Sequence, residues 1–169
     1  MAPATTKVPL GASTTNRKWY LDVNTSDDPL APVWVGVFGI QEFKDVLEGS
    51  LQDDSDFDSS WLSEVNTANR WKIEGKVARK TLESTPTAYD PGQEAIRLAA
   101  AKTGIENVLY VRWYEMEPGG PRVESYEGNA AVTWSPDGGS TEATSTASFV
   151  LSGRGPRKSV AHPDAPVGP

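Results

Sequence analysis

Residues 51–62 read LQDDSDFDSSWL and place Asp53, Asp54, Asp56 and Asp58 within six positions, beside Phe57 and Trp61; Glu48 lies just upstream. Carboxylates this dense repel one another, and a plain solvated loop is one reading of them. They could hold calcium, form a pair of catalytic acids or present a negative surface. An EF-hand loop needs oxygen ligands at its positions 1, 3 and 5, glycine at 6 and a bidentate glutamate at 12. Counted from Asp54, Asp56 and Asp58 fit, but the sixth place is Ser59 and the twelfth Val65, with Glu64 one place early. No resident metal is expected. A calcium-dependent β-sandwich binding module stands as the alternative function. Glycoside hydrolysis needs two carboxyl groups facing each other across a cleft, one with a raised pKa. Tryptophans that could stack on sugars are present, but Trp19, Trp71, Trp113 and Trp134 fall on apolar strand faces, where core packing accounts for them.

Nucleophilic chemistry has less to work with. The single histidine, His162, lies in a proline-rich segment, and there is neither a cysteine nor a GxSxG. The triplet Gly153-Arg154-Gly155 runs into Pro156 rather than into a helix, so it makes no phosphate cradle. Arg154, Arg157 and Lys158, with Lys7 at the other end, are too few to grip a nucleic acid, though they can pair with acids on a neighbouring molecule. Neither an enzyme nor a cofactor is expected.

The charge supports this. The 169 residues carry 16 basic and 23 acidic side chains, a net charge of −7. Residues 42–64 hold eight carboxylates against Lys44 alone, so this window accounts for the whole excess. A locally acidic surface repels phosphates, which need Lys and Arg. The absence of cysteine excludes a disulfide framework and thiolate metal sites. The opening MAPATTKVPLGASTTN has no apolar core, so no secretory signal is expected, and no run of about 18 apolar residues exists to span a bilayer as a helix; no membrane partner is expected.

These side chains must be positioned by a mainly β fold. RKWYLDV, PVWVGVFGI, RWKIEGKVARK, NVLYVRWYEM, VESYEGNAAVTW and TASFVLSG alternate with period two. In PVWVGVFGI, Gly36 or Gly39 is a candidate bulge. The turns PGG (118–120) and PDGG (136–139) make the last three strands a meander. YDPGQEAIRLAAAKTG breaks the pattern: Asp90 caps, Pro91 opens and Gln93 completes a capping box, with Gly104 in the left-handed position that ends a helix. The expectation is a β-sandwich or barrel-like domain over 16–153 with one flanking helix at about 91–103. It includes a long acidic loop or hairpin over 45–69. Flexible arms, 1–15 and 154–169, lie either side, their Pro and Gly breaking regular structure.

The order of segments resembles the major tail, or tail tube, protein of long non-contractile bacteriophage tails, especially phages of actinobacterial hosts. RKWYLDVNT, VFGIQEF, LQDDSDFDS, NRWKIEGKVARK, YDPGQEAIR, VRWYEM, YEGNAAVTWSPDGG and FVLSGRG follow one another over about residues 16–158. The resemblance implies a structural virion protein made in the bacterial host cytoplasm and located in the tail. Hexameric rings would stack into a tube that conducts DNA. It also implies partners in the tape measure, tail terminator and tail tip proteins, with DNA passing through unbound. In that setting Glu48, Asp53, Asp54, Asp56 and Asp58 are expected to give negative potential to the lumen or to the contact between rings. Repulsion of phosphate over a Debye length of about 8 Å makes a slip surface. Phe57 and Trp61 are the expected hydrophobic anchors between subunits, and Arg154, Arg157 and Lys158 the inter-subunit charge pairs.

Overall fold

The computed structural model describes residues 8–164; Lys7 and the outer parts of both expected arms lie outside them. A 3-10 turn, Asn16–Lys18, leads into β1 (Trp19–Asn24), followed by β2 (Trp34–Gly36), β3 (Ile40–Asp53) and β4 (Glu64–Ala78). The helix α1 (Pro91–Ala100) and a second 3-10 turn, Gly104–Asn107, precede β5 (Val108–Glu115), β6 (Ser125–Pro136), β7 (Thr146–Gly153) and β8 (Lys158–Ser159). The strands form one antiparallel sheet in the order β2-β1-β5-β6-β7-β4-β3, with β8 added to β6. The fold is mainly β with a single α-helix among the described residues, and β5, β6 and β7 form the expected meander.

The sheet curls on itself. Trp19 of β1 stacks on Phe43 of β3 with ring centroids 5.5 Å apart, and Trp71 of β4 on Trp113 of β5 at 4.8 Å. Neither pair comes from adjacent strands, so the two ends of the sheet face one another in a barrel-like roll. The alternating residues Leu21, Val23, Ile73, Val77, Val111, Ala130, Val132, Phe149 and Leu151 fill it. The opposite face of β1, β2 and β5 carries a half-buried aromatic row. There Arg112 bonds Asp22 at 2.7 Å and lies over Trp34 at 4.6 Å. Burial pushes the Tyr110 and Tyr114 hydroxyls up to about 12, so both stay protonated at neutral pH.

Two local expectations are corrected. PVWVGVFGI is two strands rather than one, because Gly39 turns the chain at φ +79° just after Val37 N–H makes the last bond to β1, at Leu21 O. The helix ends at Ala100 rather than near 103. Gly104 does adopt a positive φ of 63°, but it opens the 3-10 turn, because Thr103 before it is already extended.

The helix starts where its sequence places it, but Gln93 does not complete the capping box: its side chain bonds Arg79, Phe38 O and Ala78 O rather than Asp90 N–H. Asp90 accepts hydrogen bonds from Gln93 N–H at 2.9 Å and Phe38 N–H at 3.3 Å. The buried Gln93 amide donates to Phe38 O and Ala78 O, which ties the helix to the end of the roll where β3 begins and β4 ends. Ile96 and Ala99 then close that end. Replacing Asp90 with Ala removes the cap and leaves Phe38 N–H without its partner. A loss of about 1–2 kcal/mol is expected, read from the midpoint of urea denaturation; no change would mean the cap is redundant with the Gln93 bonds.

Candidate functional site

The acidic segment is the turn of a long hairpin. β3 and β4 pair from Ile40–Val77 out to Asp53–Glu64, with a bulge after Ser50. β7 accompanies β4 only as far as Lys72. Beyond that point β3 and β4 have only each other, and residues 47–70 are all exposed. The sequence explains the change: from Glu48 outward the strands are mostly polar, whereas Trp71, Ile73 and Val77 supply the inward face of the roll. A two-stranded hairpin on its own is marginal in water. This ribbon nevertheless carries Leu51 and Val65 along its length and Phe57, Trp61 and Leu62 at its tip, with Trp61 83% and Leu62 88% accessible and Phe57 fully so.

The acids divide by position. Glu48 is at the base, 3.7 Å from Lys72. Asp53, Asp54, Asp56 and Asp58 are at the tip with Phe57 and Trp61. None of these four forms an ion pair among the described residues. Asp53 accepts from Ser55 N–H at 2.8 Å, and Asp56 from Asp58 N–H and Ser59 N–H at 3.0 and 3.1 Å. These are short turns in which a side chain braces its own backbone. The Ser55 bonds hold the Asp53 carboxyl below the usual carboxylate range. No group of three potential ligands converges among the described residues. Among the described residues nothing lies across from these exposed acids, so the arrangement is an open, charged, apolar-tipped surface rather than an enclosed reaction site.

Arg154, Arg157 and Lys158 do not come near the tip. Arg157 already has an acid within its own chain: its Nη1 lies 3.0 Å from Asp45 Oδ2, and its guanidinium sits 4.2 Å over the Tyr126 ring. Arg154 and Lys158 are exposed and unpaired among the described residues. The segment expected to lack regular structure is instead strapped to the roll. Trp71 Nε1 donates to Gly155 O at 2.9 Å, β8 pairs with β6, and Val160 N–H reaches Ser125 O. His162 Nε2 lies 2.7 Å from Glu115 O, with its ring edge-on to Tyr114, so the histidine has a scaffold but no nucleophile beside it. Glu115 belongs to the same corner. Burial pushes its carboxyl up, but the Lys18 ammonium at 2.5 Å and the Glu124 N–H outweigh it and hold it below the usual range.

One important residue was missed in the sequence. Asp45 accepts from Trp113 Nε1 at 3.1 Å as well as from Arg157. The signal was its parity: Asp45 shares the inward face of β3 with the buried Phe43, and an inward carboxylate requires partners. A second missed feature is an open groove of about 820 Å³ between α1, the 3-10 turn Gly104–Asn107 and the loop after β1.

No protein-family profile matches the chain, and no curated protein does. Solved structures do. The chain is similar to one in the virion of a native gene transfer agent particle, with a TM-score of 0.63 and 11% identity over 88% of this chain and all of the other. A chain in the tail of the empty particle, determined with helical refinement and C6 symmetry, gives a TM-score of 0.62 at the same identity and coverage. A chain of the sixfold-symmetrised baseplate of an anti-feeding prophage gives 0.53 at 8% identity, over 94% of this chain and 99% of that one. At these identities the likeness is one of fold: this chain has the fold of chains found in those tail and baseplate particles.

Proposed function

We propose that this chain is a structural, non-enzymatic subunit of a phage-type tail. Six copies close into a ring, rings stack into a hollow tube, and the tube conducts DNA out of the virion. The observation that carries this reading is the 47–70 ribbon, whose apolar residues nothing covers among the described residues. Its placement on a fold shared with a chain from a C6 helical tail supports the same reading. A heterologous contact that closes makes a ring, and one that advances along an axis makes a stack. The free edges of β2 and β3 add two rows of unpaired backbone groups that a neighbour can continue. In this reading Phe57 and Trp61 anchor one subunit on another. Glu48, Asp53, Asp54, Asp56 and Asp58 supply negative potential at the bore or at the ring contact beside it, and exposed Arg154 and Lys158 face acids of a neighbour. In this reading the partners are tape measure, terminator and tip proteins, and assembly takes place in the host cytoplasm.

Negative-stain microscopy of concentrated protein tests the reading: rings or hollow tubes are expected, and a preparation of single copies at every concentration overturns it. The charge has its own test. Asp54→Asn, Asp56→Asn and Asp58→Asn together should leave the unfolding midpoint within about 0.5 kcal/mol of the parent, because all three are exposed. Tails built from the triple variant should release DNA more slowly than the parent. An unchanged rate would remove these carboxylates from any role in DNA passage.

A further inference from the structure

We infer that the tip of the ribbon docks in the groove beside α1 of a second copy in the next ring. This rests on the stacked-tube reading above and names the surface that receives the ribbon. The argument begins with direction. β1, β6 and β4 run parallel to one another within the antiparallel sheet, and β4 starts at the ribbon. The ribbon therefore leaves the end of the roll where β1 and β6 begin. The groove opens at the opposite end, where β1 finishes at Asn24, β5 starts at Val108 and α1 lies across the roll. In a head-to-tail stack, which a helical array requires, the ribbon end of one copy meets the groove end of the next.

The surfaces match in kind. The groove presents apolar side chains from Ala95, Ala99, Ile105 and Leu109, and Ile105 is 72% accessible. The tip presents Phe57, Trp61 and Leu62. The groove's volume of about 820 Å³ is in the range that accepts bulky apolar groups. The charged rim is balanced, Lys102 and Lys158 against Asp27 and Glu106, and none of the four is ion-paired among the described residues. Apolar burial is thus the driving term. The two lysines are available to the tip's unpaired Asp54, Asp56 and Asp58.

The other two clefts do not compete for this role. The cleft at Asn16, Arg17, Trp19, Ile40 and Phe43 lies in the seam between the starts of β1 and β3, on the side of the roll. The cleft along β3 and β4 is lined by Lys44, Glu74 and Lys76 on the flank of the sheet. A neighbour within the same ring could reach either, but a neighbour stacked head to tail meets the groove first.

The chain has no cysteine, so introduced thiols report contacts without background. The full-length variant carrying Ser60→Cys and Glu106→Cys, allowed to assemble and then treated with a short bis-maleimide, should give a ladder of covalent multimers. Each single-cysteine variant should stop at dimers, and Ser60→Cys combined with Lys44→Cys should give no ladder. Tubes that form from the Ser60/Glu106 variant without a ladder, or with no more ladder than the Lys44 control, overturn the docking while leaving the tube reading intact. Absence of any tube from the parent chain removes the tube reading and this docking with it. As a second readout, Ile105→Asp should raise the concentration needed for tubes roughly tenfold or more, with an unchanged unfolding midpoint because the side chain is exposed. Tubes at the parental concentration would count against the groove.

Discussion

Trp71→Ala is expected to destabilise the subunit by about 3–5 kcal/mol, the usual range for removing a buried tryptophan. That is a large share of the roughly 5–15 kcal/mol that holds a domain of this size folded. The indole does three things at once. It stacks on Trp113 across the roll at 4.8 Å. It lies so close to Gly128 and Gly153 that a Cβ at either would approach it to 2.6 and 2.4 Å. Its Nε1–H holds the strap at Gly155 O. Because Trp71 also pairs with Leu47 at the point where the ribbon leaves the sheet, the variant should loosen both ribbon and strap. Guanidinium denaturation followed by circular dichroism reads the loss. Gly153→Val approaches the same contact from the other side and should cost about 1–3 kcal/mol by overpacking. Trp71→Phe should fall between Ala and the parent, since it keeps ring area and loses the bond to Gly155 O. A cost below about 1 kcal/mol for Trp71→Ala would mean that the two ends of the sheet are held together by something other than this stack.

Why this contact was only half visible in the sequence is instructive. Trp71, Ile73 and Val77 alternate with Lys72, Glu74 and Lys76, so the inward face of β4 could be read directly, as could the cap Asp90-Pro91-Gly92-Gln93. Those signals are local, with periods of two to four residues. The closure of the roll is not local: it depends on Gly128 and Gly153 being bare where Trp71 lands, and on Asp45 reaching Arg157 across 112 positions. The strap was misread for the same reason. Pro156, Pro163 and their neighbours do break regular structure, but the strap is held by long-range bonds, Trp71 Nε1 to Gly155 O, Val160 N–H to Ser125 O, His162 Nε2 with Glu115 O and Arg157 to Asp45, and no local pattern marks such distant partners. The ribbon lay between these cases. Its polar strands lack apolar alternation, because no face of it is buried within the subunit, so loop and hairpin could not be told apart. The exposed Phe57 and Trp61, by contrast, were plain from their isolation among carboxylates.

Phe57→Ser with Trp61→Ser is expected to leave the isolated subunit as stable as the parent and to abolish tube formation at any concentration where the parent assembles. Both side chains are exposed, so their removal creates no cavity, and surface changes of this kind shift stability by about 0.5 kcal/mol at most. Assembly is another matter. Aromatic anchors at a contact commonly contribute about 2 kcal/mol or more each, so losing both weakens a single contact by roughly a thousandfold if their effects add. In a sixfold stack the loss is repeated by every subunit of the ring, and the penalty on adding one ring is compounded accordingly. Sedimentation velocity combined with electron microscopy separates the possible outcomes. Rings that form but do not stack would place the anchors between rings, and single copies throughout would place them within the ring. Normal tubes would show that the uncovered apolar tip is no contact at all. Trp61→Phe, which retains most of the apolar area, should restore stacking to a Trp61→Ser chain. The rescue is informative because a defect caused by misfolding of the hairpin would not depend on the size of one exposed ring.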